Sequence, residues 1–159
     1  LFADTIENNI SLGNSEVSLS EIEAAAKEIG VHDFIESLPG GYQFNVKERG
    51  GMLSSGQRQL IAFLRAYVTK PSILVLDEAT SSIDSASEQL IQKATDTITK
   101  GRTSIVIAHR LATIQKASNI LVMDAGVIVE QGTHEALLKK GGYYKNLYEA
   151  QFLSVAVVE

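Results

Sequence analysis

The sequence predicts an α/β fold with a mostly parallel sheet, and three observations predict it. The runs Ile73–Leu76, Thr103–Ala108 and Ile120–Met123 are short and lack strict alternation of apolar and polar residues, so each reads as a strand buried on both faces. Segments of helical periodicity separate them, as parallel neighbours require, because a parallel pair needs a crossover connection. Two of the strands end in polar residues, Asp77 with Glu78 and His109, at the sheet edge where open parallel sheets bind ligands.

The elements follow in order. Ser20 and Glu23 read as a capping box ahead of Ile22, Ala25, Ala26 and Ile29, which predicts a helix over Glu21–Ile29 closed by Gly30. A short helical piece over Asp33–Ser37 leads to a turn at Pro39-Gly40-Gly41, and the polar stretch Tyr42–Gly51 reads as a loop. Ser54 and Gln57 form a second capping box, with Leu60, Ile61, Leu64 and Val68 on one face until Pro71 stops the helix. Ser85 and Glu88 cap a third helix that runs to about Ile98, and a short helix covers Ala112–Lys116. Asp124-Ala125-Gly126 predicts a tight hairpin between Ile120–Met123 and Val127–Glu130, with Gly126 at positive φ. Thr133 caps a last helical region, interrupted at Gly141-Gly142 and resumed through Tyr148.

Composition narrows the function. A chain of 159 residues, 45% hydrophobic, can bury one core. The net charge of -5 argues against nucleic acid as a partner, which would need clustered Lys and Arg to neutralise phosphates. With no cysteine, disulfides, thiolate catalysis and Cys-ligated zinc are excluded, and His32, His109 and His134 are too scattered in sequence to suggest a metal cluster. No apolar stretch approaches the roughly 20 residues of a membrane helix. Residue 1 is Leu and the only methionines are Met52 and Met123, so a longer parent with residues ahead of Leu1 is expected.

Two adjacent carboxylates after an apolar strand repel each other and need solvent or a cation, which a magnesium-nucleotide would supply. The pattern alone fits a solvated turn equally well. Ser54, Ser55, Gly56 and Gln57 stand at a helix N-terminus, where free N–H groups and the dipole favour an anion, although an ordinary capping box has the same residues. His109 alone fits a buried histidine donating to a carbonyl, and Asp84 alone fits a charge complementing a helix dipole.

Together these segments resemble the ATP-binding cassette family, the ABC ATPases. LSSGQRQL over Leu53–Leu60 is similar to the family signature, ILVLDEAT from Ile73 to its Walker B strand, SSID over Ser81–Asp84 to its D-loop, and IAHRL from Ile107 to its switch-histidine motif. KERGG over Lys47–Gly51 resembles the segment before the signature in exporters, and LFADTIENNI resembles the stretch after the Q-loop. The resemblance runs from Leu1 to about Phe152. Ser55 replaces the commoner glycine, a familiar exporter variant, and no G-x-x-x-x-G-K-[ST] phosphate loop is present.

The resemblance implies the C-terminal part of a P-loop NTPase-like domain. Residues 1–70 would form the helical signature subdomain, 71–152 the ATPase core with Walker B, D-loop and switch histidine, and 153–159 a tail. It implies ATP and Mg2+ as ligands, with Asp77 holding the metal through a water, Glu78 polarising the attacking water and His109 sensing the γ-phosphate. Ser54, Ser55, Gly56 and Gln57 would face the γ-phosphate of ATP held by an opposite nucleotide-binding domain in a head-to-tail dimer, with Asp84 at the seam. The expected setting is the cytoplasmic face of a membrane, against the transmembrane domain of an exporter, with the loop from Tyr42 through Arg49 as a mechanical contact; a solvated surface loop is the alternative for that stretch. Without the phosphate loop, the chain alone is expected to be inactive. A non-catalytic module serving a partner's ATP site and a soluble ABC ATPase are the rival readings. The aromatic group Tyr143, Tyr144, Tyr148 and Phe152 reads as helix packing.

Overall fold

The computed structural model describes residues 1–77, 85–108 and 111–150. It divides into two units, Leu1–Val106 and Ile107–Glu159.

The first unit begins with α1 (Ile6–Ser11), whose N-cap Thr5 accepts from the Asn8 N–H at 3.1 Å. Helix α2 spans Leu19–Ile29, and its capping box is Ser18 with Glu21, two residues before the expected Ser20 and Glu23. The earlier start is favoured because it brings Val17 and Leu19 onto the same core as Ile22, an apolar residue before the cap and another on N4 being the usual anchor of a helix entry. Gly30 ends α2 at φ 88, as expected. After α3 (His32–Glu36), the stretch expected as a plain loop folds into two 3-10 turns, Gly41–Gln43 and Glu48–Gly50. Backbone bonds from Ile6 N–H to Phe44 O and from Val46 N–H to Asp4 O, both 3.0 Å, strap this stretch to the start of the chain. Tyr42 and Val46 are buried, so the stretch is held from beneath by core side chains that carry no regular period.

Helix α4 (Ser55–Val68) then packs against α1, α2 and the long helix α5 (Ser85–Thr99). Ile6, Ile10, Ile22, Ile29, Leu60, Ile61, Leu64, Ile91 and Ile98 are the heart of this core. The cap of α5 falls outside the described residues. Strands β1 (Ile73–Asp77) and β2 (Thr103–Ile107) pair in parallel across the α5 crossover. Leu74 and Leu76 join the helical core, but Ile73 and Val75 are 63% and 65% exposed, and Ile105 is exposed as well. The expectation of strands covered on both faces is therefore corrected. Among the described residues, helices cover one face of this pair and no apolar element covers the other.

The second unit contains α6 (Leu111–Lys116), the antiparallel hairpin β3 (Ile120–Asp124) and β4 (Val127–Gly132), α7 (His134–Lys140) and α8 (Tyr143–Tyr148). Asp124 pairs with Val127, leaving a two-residue loop in which Ala125 and Gly126 both have positive φ, 45° and 80°, the geometry of a type I′ hairpin turn. Only Gly126 was expected there; the right-handed strand twist demands the left-handed conformation at both positions. Thr133 caps α7 as predicted, its hydroxyl accepting from Ala136 N–H. Val122, Leu137 and Tyr144 form a small core, while Leu121 and Met123 are exposed, so among the described residues β3 too is covered on one face. Of the aromatic group, Tyr144 packs as expected and Tyr143 is exposed; Phe152 lies outside the described residues.

One carboxylate organises this unit. Glu130, from β4, is buried; it accepts from Tyr144 N–H at 2.8 Å and pairs with Lys140 Nζ at 3.1 Å. It thus supplies the cap that Gly142 cannot give to α8. The bond from Tyr144 N–H, aided by Lys140, holds its carboxyl below the ordinary value of 4.5. Because the folded form binds the proton more weakly than the unfolded chain, this contribution is complete above the ordinary value and is lost as pH falls through the lowered one. Thermal unfolding followed by tyrosine fluorescence should therefore show Glu130→Gln less stable than wild type near neutral pH, with the difference closing in acid. A difference that stays constant down to about pH 3 would show that ionised Glu130 contributes nothing there.

Candidate functional site

The site residues that can be placed lie on two elements of the first unit. Ser54 has extended backbone, φ -64 and ψ 166, and so turns its hydroxyl back over the first turn of α4. Its Oγ accepts from Gln57 N–H at 3.2 Å, and Gln57 Oε1 accepts from Ser54 N–H at 2.9 Å. The predicted capping box is therefore present. Among the described residues, no partner is found for the N–H groups of Ser55 and Gly56, the two donors left at the positive end of the helix dipole. Ser54 and Ser55 are exposed, and Gly56 is buried in the turn. This end of α4 can receive an anion on two backbone donors and the seryl hydroxyls.

Asp77 is the last residue of β1 and is exposed, one position after buried Leu76. Its carboxylate stands at the carboxyl end of the strand, where it remains solvated and available to a cation. Glu78, the SSID segment with Asp84, and His109 lie outside the described residues. The structure thus gathers Ser54, Ser55, Gly56 and Gln57 on one helix end and sets Asp77 on a separate strand end.

Two features beside α4 were not anticipated. Arg58 donates from Nη1 to Leu53 O at 2.7 Å, closing the loop onto the helix it precedes. Within that loop Lys47 and Arg49 take positive φ, 60° and 53°, a left-handed backbone that costs L-residues energy and that the Lys47 N–H bond to Asn45 Oδ1 at 2.9 Å helps to hold. The paired glycines Gly50-Gly51 were the available signal for a tight approach. Tyr42, read with its loop as a mechanical contact surface, is instead 4% exposed, with its hydroxyl 2.9 Å from His32 Nδ1. Burial and the neighbouring carboxylates Glu23 and Glu36 push its phenol far above the ordinary value.

Known proteins resemble this chain over nearly its whole length. A family model described as ABC transporter matches residues 3–81. The chain is 53% identical over 152 residues to an ATP-dependent lipid A-core flippase of Saccharophagus degradans, covering 96% of this chain and 26% of the flippase. It is 55% identical over 160 residues to the ABC-type transporter MDR1 of Aureobasidium melanogenum, covering 95% of this chain and 12% of that protein. A solved structure of a bacterial Atm1-family ABC exporter with ATP bound matches with a TM-score of 0.84 and 44% identity, over 96% of this chain and 27% of the exporter chain. The chain therefore spans about a quarter or less of the length of these relatives. With the signature segment at the start of α4 and the acidic end of β1 in the expected order, the chain belongs to the ABC transporter family.

Proposed function

We propose that this chain is the C-terminal part of the nucleotide-binding domain of an ABC exporter, in which ATP binding and hydrolysis drive substrate across a membrane. The observation that carries the reading is the end of α4, where, among the described residues, the Ser55 and Gly56 N–H groups stand without partners at the positive end of a capped 14-residue helix. In this reading residues 1–70 are the helical signature subdomain, 71–152 belong to the ATPase core and 153–159 are a tail. The α4 end receives the γ-phosphate of ATP held by a second nucleotide-binding domain in a head-to-tail dimer, with Asp84 at the seam. The transmembrane domain belongs to the same transporter, and this chain works on the cytoplasmic side.

The donor set suits a magnesium-nucleotide. Asp77 is a hard oxygen ligand on an exposed strand end, able to hold Mg2+ through a water, and the bound ion would neutralise charge on the phosphates. Glu78 accepts a proton from the attacking water, and His109 donates a hydrogen bond to the phosphate without adding a fixed charge. The chain by itself does not hydrolyse ATP in this reading, because it has no phosphate loop to supply backbone donors and a lysine to the transferred group.

The test replaces Gly56 by Asp in the complete domain, in a Glu78→Gln background that traps the ATP-bound state. A carboxylate at this position meets the phosphate with like charge, so ATP-dependent dimerisation measured by light scattering should be lost while ATP binding to the monomer persists. Undiminished dimer would remove the phosphate from this end of α4.

A further inference from the structure

Helix α4 is surrounded by apolar contacts from α1, α2 and α5, which exclude water but leave a helix free to slide by small amounts. Polar ties break that freedom: besides the bond between Tyr67 and Glu28 of α2, one runs from Arg65 to α1. Asn9, on α1, is completely buried, and its side chain is saturated from the start of the chain. Oδ1 accepts from Phe2 N–H at 2.8 Å, and Nδ2 donates to Phe2 O at 3.0 Å, to Thr5 O at 2.9 Å and, more weakly, to Asp4 O at 3.4 Å. The carboxamide thus winds residues 2–5 around itself. Arg65, on the last part of α4, completes the arrangement: Nε donates to Asn9 O at 2.6 Å and Nη2 to Asn9 Oδ1 at 3.4 Å, while the guanidinium carbon lies 6.0 Å from the centre of the Phe2 ring.

Among the described residues Arg65 has no carboxylate partner; the half-buried cation is satisfied by carbonyl oxygens and an aromatic face. The planar guanidinium meets Asn9 O, Asn9 Oδ1 and the Phe2 face together in one orientation, which suits a device that sets position. We infer that Arg65 is a positioning residue, which through Asn9 and Phe2 ties α4 to the segment Leu1–Thr5, so that the capped first turn of α4 moves with that segment. A helix is stiff over ten residues, so a register fixed at Arg65 is transmitted to Ser55. The tie itself is independent of the proposed function; its consequence for nucleotide rests on that reading of the α4 end.

Proton exchange followed by NMR on the complete domain tests the tie. In Arg65→Met, which keeps the apolar stem, the Asn9 side-chain amide protons and the Gln57 and Arg58 backbone N–H groups should exchange about tenfold faster, the change expected for losing one charge-assisted bond. The amides of Ile91 and Ile98 should be unchanged. Arg65→Lys, which can still reach Asn9 O, should restore part of the protection. Phe2→Ala, at an exposed residue whose loss leaves the helices intact, should act in the same direction more weakly. Faster exchange at Asn9 with Gln57 and Arg58 unaffected overturns the inference, as does equal acceleration along all helices. In the full-length protein Arg65→Met should raise KM for ATP with kcat retained. If exchange behaves as expected while KM does not move, the tie stands and the placement of nucleotide at α4 fails.

Discussion

Glu78→Gln in the complete domain is expected to leave ATP binding intact and to slow hydrolysis by about a hundredfold or more, the loss typical for removing a general base. The expectation follows from Glu78's place one residue beyond the exposed strand-end carboxylate Asp77. Glutamine keeps the size and can still hold a water, but it cannot take the proton that the water must lose. Single-turnover hydrolysis and equilibrium nucleotide binding, measured on the same preparation, separate the two effects. Hydrolysis within about twofold of wild type would mean that another group accepts the proton, since a true base contributes far more. A parallel loss of binding would instead make Glu78 part of the nucleotide seat.

Gly50→Ala is expected to be strongly destabilising. Gly50 is buried with φ +69, a conformation that costs a residue with a Cβ about 1–2 kcal/mol. An added Cβ would lie 2.9 Å from Arg58 Cδ and 3.0 Å from Leu1 Cδ1. Arg58 cannot retreat freely, because its Nη1 is held by Leu53 O at 2.7 Å. Overpacking of this kind adds about 1–3 kcal/mol, so a total loss of about 2–5 kcal/mol should appear in urea unfolding. Gly51→Ala is the control: Gly51 has φ -59, and its Cβ would meet only Glu48 O, at 3.3 Å. Its cost should stay below about 1 kcal/mol. Equal costs for the two would mean that the approach of Arg58 and Leu1 to Gly50 does not constrain the loop.

Much of the local structure was legible because it depends on near neighbours in the chain. The Ser54–Gln57 box, the stop before Pro71, Gly30 at the end of α2 and Thr133 at the start of α7 each involve groups within four residues of one another, and each is present. The shifted cap of α2, Ser18 for Ser20, shows the limit of such signals. Two seryl residues offered the same hydroxyl, and the choice fell to Val17 and Leu19, which reach a core built from distant helices. The two-residue hairpin turn was likewise legible through Gly126, whereas positive φ at Ala125 was imposed by the pairing of Asp124 with Val127.

What the sequence determined by itself is the family, the order of its motifs and the capped helix end that carries the proposed phosphate contact. These follow from short patterns whose chemistry is complete within a few residues. Tertiary structure alone decided what holds that helix end in place. The saturated carboxamide of Asn9, the reach of Arg65 across 56 residues of chain and the close seat of Gly50 on Arg58 leave no periodic trace. The same is true of the strand faces, where runs that read as buried on both sides are covered on one among the described residues. An apolar run records what a residue can bury, but the packing of other elements decides whether anything comes to cover it.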